Sequence, residues 1–127
     1  MIFVDTNVAM YAVGRPHPHR DEVRARLRSL PPGSLATSAE VLQELLHAYL
    51  PVGRLDDLDA ALRLLLDLAV VWPVTAEDVQ TARLYADRHP ALGARDLLHL
   101  AVCASREVTE LWTYDRGLAA AFGGPVR

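Results

Sequence analysis

Lysine is missing from this sequence: all 13 basic side chains are arginine, against 16 Asp and Glu and a net charge of −3. A mildly acidic chain does not hold nucleic acid by bulk positive charge. With so much Ala and Leu beside the Arg, the missing lysine reads as a GC-rich coding bias rather than as function. Cysteine is nearly absent too. The single Cys103 excludes an internal disulfide framework and any CxxC-type zinc cluster. A reducing, cytoplasmic setting is therefore expected. No basic leader precedes the N-terminal MIFVDTNVAMYAVG, so no signal peptide is predicted. The longest apolar run, 58–74, is broken by Asp59, Arg63 and Asp67, and no membrane span is expected. There is no internal repeat, low-complexity linker, Gly-rich phosphate loop, or Ser/His/Asp or Cys/His nucleophile pattern.

What is present is the composition of a packed domain. Of 127 residues, 51 % are apolar and 23 % charged, which excludes disorder. The length suits one domain over 1–127, with enough surface to bury for a proper core.

Short β-type runs alternate with helical stretches. Ile2–Val4 reads as a strand ending at Asp5, with a helix from 7–13. Pro16 and Pro18 break the chain, and 19–30 carries Val23, Leu27 and Leu30 at helical spacing. A weak strand at 34–37 leads to Ser38, a plausible N-cap, and to a helix with Val41, Leu42, Leu45, Leu46, Tyr49 and Leu50 on one stripe. Pro51 and Gly53 stop it, and 54–69 forms the second arm of a helical hairpin. The β-branched run 70–74 is a strand that Pro73 pushes to a sheet edge. Thr75 and Asp78 resemble a capping box. Helices to about His89, over 94–106 and over 115–122 flank a last strand at 110–113. Strands alternating with helices predict an α/β fold, a parallel sheet with helices on both faces and a cleft at the strands' carboxyl ends.

The acids fall at telling places. Asp5 and Asp115 each follow a strand, so parallel strands would bring them to one sheet edge, although either alone could simply cap a helix. Asp96 stands on a helix that is apolar nearly all round and needs a compensating charge, from Arg95 or a metal. Glu44 flanks its helix stripe, where a cleft edge and ordinary surface are both open to it. Four carboxylates on four elements form a hard-oxygen set suited to Mg2+ or Mn2+. Without a cation they would repel one another, and with one they could support attack on a phosphodiester.

IFVDTNVAMYA, SxxVLQEL with Glu44, GARDLLHLAVC with Asp96 and LWTYDRGL with Asp115 resemble, in order and spacing, the four motifs of PIN-domain nucleases. The likeness spans nearly the whole chain and is nearest to the small VapC-like toxins of type II toxin–antitoxin pairs. The resemblance implies a PIN-like three-layer α/β/α sandwich with a central, mainly parallel sheet of four or five strands. It implies a ribonuclease that uses one or two Mg2+ or Mn2+ ions at Asp5, Glu44, Asp96 and Asp115. Asn7 and Thr113 would be polar supports. It further implies an RNA substrate, single-stranded or looped, a homodimer, and a cognate antitoxin that wraps the toxin. Pro125, Val126 and Arg127 stand where such proteins often carry a further edge strand, which leaves the fifth strand open.

Other features read more plainly. Arg20, Arg24 and Arg28 suggest a solvated helix face, since Asp21 and Glu22 interleave. His99, three residues after Asp96, reads as a hydrogen-bonded histidine at the core or cleft edge rather than a ligand. His17 and His19 flank Pro18 without enough partners for zinc. Trp72 and Trp112 read as core, and the leucines of 55–68 as hairpin core with apolar surface to spare. Two alternatives stand beside the nuclease: a PIN-like module that binds a partner or RNA without cutting, and a phosphatase with Asp5 as nucleophile. Asn at position 7 counts against the phosphatase.

Overall fold

A computed structural model describes residues 1–124. Four strands, β1 (Ile2–Val4), β2 (Leu35–Ser38), β3 (Ala69–Trp72) and β4 (Glu110–Trp112), form one sheet in the order β3-β2-β1-β4. Every pairing is parallel, and Val4 stands beside Trp112 across the β1–β4 register. β3 takes the edge, and Pro73 lies just beyond it, as its missing N–H requires. The expected fifth strand falls on residues 125–127, outside those described.

Helices α1 (Thr6–Val13), α2 (Pro18–Ser29), α3 (Ala39–Tyr49) and α4 (Leu55–Leu68) pack on one another. Helices α5 (Ala76–Arg88), α6 (Ala94–Ser105) and α7 (Arg116–Phe122) form a second group. Right-handed crossovers account for this division, because β1-β2-β3 step one way across the sheet and β4 returns to the far side of β1. The two inner residues of β1 and β4 show that both faces of the sheet are covered there: Phe3, Val4, Leu111 and Trp112 are fully buried. Trp112 is core as expected, with the Arg26 guanidinium 4.3 Å from its ring centre. Trp72, on the edge strand, is only half-buried. No helix among the described residues is long and apolar enough to cross a membrane.

Local signals explain most helix ends. Thr75 and Asp78 form a full capping box at α5: Thr75 Oγ1 accepts from the Asp78 N–H and Asp78 Oδ2 accepts from the Thr75 N–H. Asp78 does more, since Ser105 Oγ donates to its Oδ1 at 3.1 Å and Arg106 lies 3.6 Å away. Burial pushes its carboxyl up, but the Thr75 and Ser105 hydrogen bonds and the Arg106 charge outweigh that and hold it below the usual value. The α5–α6 pair is thus tied at one end. Gly53, in a left-handed conformation with φ 68°, closes the 3-10 turn Leu50–Val52 between α3 and α4.

Two local expectations change. Ser38 occupies the N-cap of α3, but its buried hydroxyl makes no cap hydrogen bond. The arginines of α2 are not merely a solvated face. Arg20 donates to Gly14 O and Arg24 to Ala12 O, at the carbonyl end of α1, where cations complement the dipole. The i, i+4 spacing was visible in the sequence, but the partner carbonyls belong to another helix.

Replacing Asp78 by Ala removes the capping acceptor and the Ser105 bond together. It should destabilise the fold by about 2 kcal/mol in urea unfolding. A loss within the error of such measurements would show that the box does not hold α5 to α6.

Candidate active site

The strand order reverses direction between β1 and β4, and the acids gather at the carboxyl ends of these two strands. Asp5 ends β1 and caps α1, its Oδ1 accepting from the Thr6 N–H at 2.7 Å. Asp115 caps α7, its Oδ1 accepting from the Leu118 N–H at 3.0 Å. Glu44 comes from the middle of α3 and Asp96 from the first turn of α6. All four line one cleft of about 220 Å³, together with Asn7 and Arg95. Capping and cleft lining are therefore not alternatives for Asp5 and Asp115. The same extended backbone after the strand does both.

Asp5 is 5 % exposed and is fixed by several donors. Thr113 Oγ1 donates to its Oδ2 at 2.6 Å, and the Asn7 amide approaches the same oxygen at 3.4 Å. Thr113 Oγ1 in turn accepts from the Asp115 N–H at 2.9 Å, and Asn7 Oδ1 accepts from the Tyr114 N–H at 3.1 Å. Asn7 and Thr113 thus lock the segment after β4 onto the segment after β1. The main chain adds the Asp5 N–H to Trp112 O bond.

His99 joins the site. It is 1 % exposed, its Nε2 is hydrogen-bonded to Glu44 Oε1, and it lies 3.6 Å from Asp5 Oδ1. Asp5, Glu44 and His99 offer ligand atoms close enough to share a metal ion. Asp96 and Asp115 line the cleft around this tighter trio. In the sequence His99 shows only its spacing from Asp96; its pairing with Glu44, 55 positions away, is tertiary. Arg95 does not answer the Asp96 charge as expected. It lies 3.8 Å from Glu40, the acid one turn before Glu44.

The electrostatics follow from the crowding. Asp96 is pushed up to about 6, first by burial and then by the Asp115 charge, with Asp5 and Glu44 adding to it. Burial also raises Asp5, more than His99, Thr113 and Thr6 lower it. Burial alone would depress the His99 imidazole, but the Glu44 hydrogen bond and the Asp5 and Glu44 charges outweigh it and raise it. A set of carboxylates strained by mutual repulsion, with oxygen as the main donor, fits a hard divalent cation.

A family model for the PIN domain matches residues 2–122. The chain belongs to the PIN-domain family. It is 59 % identical over 124 residues to Ribonuclease VapC23 of Mycobacterium tuberculosis, covering 96 % of this chain and 98 % of that one. It is 40 % identical over 120 residues to Ribonuclease VapC13 of the same species, covering 92 % of each. Its fold matches the crystal structure of Mycobacterium tuberculosis VapC20, a sarcin–ricin loop cleaving toxin, with a TM-score of 0.83 at 23 % identity over 95 % of each chain. It also matches FitAcB from Neisseria gonorrhoeae, with a TM-score of 0.74 at 25 % identity over 99 % of this chain and 96 % of that one. The PIN resemblance drawn from the four motifs and the parallel α/β sheet both stand.

The raised groups set the pH response of the metal-free fold. A raised carboxyl costs stability once ionised, so the Asp96 penalty is absent below about 3.8 and complete above about 6. A raised imidazole stabilises below its unfolded value of 6.5, a gain lost as pH rises. Both signs agree, and Asp78, with its lowered carboxyl, acts only at lower pH. In EDTA the melting temperature should therefore rise as pH falls from about 8 to about 5.5. Asp96→Asn should raise it at the alkaline end and flatten the profile. A melting temperature that drops across that window would contradict this account.

Proposed function

We propose that this chain is the toxin of a type II toxin–antitoxin pair, an endoribonuclease that depends on Mg2+ or Mn2+ and works as one PIN domain over residues 1–127. The observation that carries this reading is the convergence of Asp5, Glu44, Asp96 and Asp115 on one cleft at the sheet's switch point. The ribonuclease names of its full-length VapC relatives support the reaction class.

In this reading Asp5, Asp96 and Asp115 hold the cation, one ion or two, directly or through water. Glu44 joins them or orients the attacking water, and His99 keeps its carboxylate turned toward Asp5. When bound, the ion supplies positive charge to the scissile phosphate and acidifies the attacking water. Asn7 and Thr113 hold Asp5 and the Asp115 segment at a fixed separation, so the carboxylates need no rearrangement when the phosphodiester arrives. The substrate is RNA whose backbone can enter a narrow cleft, single strands or loops.

The partner is a cognate antitoxin. Solved structures that share this fold include VapBC2 from Rickettsia felis bound to a promoter DNA fragment, and a toxin–antitoxin complex from Klebsiella pneumoniae. Leu46, Leu50, Val52 and Leu55 are exposed around the turn joining α3 to α4. Apolar surface of this kind suits the antitoxin and a second copy of the chain. We place the pair in the cytoplasm, with no membrane role.

Purified chain should cut RNA with Mn2+ or Mg2+, and EDTA should abolish cutting. Asp5→Asn and Asp96→Asn should each lower the rate about a hundredfold or more, while Asn7→Ala and Thr113→Val should cost about tenfold. Circular dichroism of each variant checks that the fold survives. Undiminished cutting by both Asp variants would remove the cleft from the reaction. RNA binding without cutting by the intact chain would favour a non-cleaving PIN module.

A further inference from the structure

Beside the acidic cleft lies a larger pocket of about 740 Å³, lined by Tyr11, Arg15, His17, Tyr49 and Arg54 among others. Asn7 and Met10 line both spaces, so one opens next to the other. The chemistry changes abruptly between them. The cleft carries four carboxylates beside Arg95 and His47, whereas no carboxylate is among the residues lining the pocket. Its cations are Arg15, which is exposed, and Arg54, which pairs with Asp57 and lies 5.5 Å from the Tyr49 ring centre.

We propose that this pocket is a nucleotide subsite, in which Tyr11 and His17 stack a base of single-stranded RNA adjoining the bond to be cut, while Arg15 and Arg54 hold its phosphate. The proposal rests on the ribonuclease reading and adds what that reading lacks. A chain of net charge −3 with an anionic cleft needs local cations and stacking surfaces to retain a polyanion.

The platform is built in advance. The Tyr11 ring packs edge-on against Tyr114 at 5.0 Å and against His19 at 4.9 Å, and lies 5.2 Å from His17. Tyr114 is held at two points: its hydroxyl donates to Glu22 at 2.8 Å, and its N–H donates to Asn7 Oδ1. His17 caps α2, its Nδ1 accepting from the His19 N–H at 3.0 Å, which leaves Nε2 as a hydrogen-bond donor. Tyr114 immediately precedes Asp115, and Asn7 touches Asp5, so the ring cluster and the acids share one hydrogen-bonded frame. Rings fixed in place lose little entropy on stacking, and the two arginines beside them, in a lining without carboxylates, match the phosphate that accompanies a base.

Fluorescence anisotropy in EDTA tests this without interference from cleavage, using the full-length chain and fluorescein-labelled single-stranded RNA randomised over about ten positions. Tyr11→Leu and Arg15→Ala should each weaken binding about tenfold, and Tyr11→Phe should retain it. Removing bases from the RNA should weaken binding to the wild-type chain but not further to Tyr11→Leu. Arg15 is exposed, so its variant reads out binding even where Tyr11→Leu fails to fold. Wild-type affinity in both variants overturns the subsite, as does failure of the wild-type chain to bind this RNA. So does a pattern in which both variants lose the antitoxin's C-terminal peptide and keep RNA. Continued EDTA-sensitive cleavage of total RNA would then leave the ribonuclease reading intact, whereas loss of cleavage in the wild-type chain would remove both.

Discussion

Asp5 sits at the end of the central strand β1 with its carboxylate almost wholly buried, and the segment after β4 supplies the donors that make this tolerable. An ion in such a place needs hydrogen bonds on nearly every lone pair. Thr6 takes one oxygen, and Thr113 and Asn7 take the other. Because Thr113 and Asn7 also hold the Asp115 and Tyr114 amides, satisfying one anion fixes the relative position of two strand ends. The cleft, the ring cluster beside it and the start of α7 all hang on that junction.

The remaining acids are placed against their own electrostatic interest. Asp96 gains no ion pair from Arg95, and Glu44 leans on a buried histidine. A fold selected only for stability would not crowd them so, since repulsion and desolvation both favour the protonated forms. Elsewhere the chain spends its charges conventionally. Arg20 and Arg24 close the carbonyl end of α1, Arg26 covers Trp112, and Arg106 ties α6 to Asp78 and to Pro73 O. The planar guanidinium, with its fork of donors, suits such carbonyl and ring contacts better than an ammonium does. Cys103, by contrast, is inert: burial pushes its thiol up to about 12, so it has no thiolate to offer.

The cleft's position at the switch point explains why four weak motifs reinforce one another. Asp5 and Asp115 meet because β1 and β4 are parallel neighbours with Val4 opposite Trp112. Glu44 and Asp96 reach the same place because α3 and α6 both contribute to the cleft at the carboxyl ends of those strands. None of these positions is informative alone, and an aspartate after a strand caps helices throughout protein structure.

Much of the architecture was legible in the chain. Apolar runs of three or four residues, helical stripes such as Val41, Leu45 and Tyr49, the Thr75–Asp78 box and Pro73 all act through neighbours close in sequence, and each behaves as its local chemistry dictates. The acids were legible as candidates through their places after strands and on an apolar helix. Tertiary structure decided what each acid touches. That His99 answers Glu44, that Arg95 turns to Glu40, and that Arg20 and Arg24 cap another helix depend on contacts between segments brought together only by packing. Periodicity marks which face a residue occupies; the identity of what lies opposite is set by the sheet order and the helix layers, and no local pattern carries it.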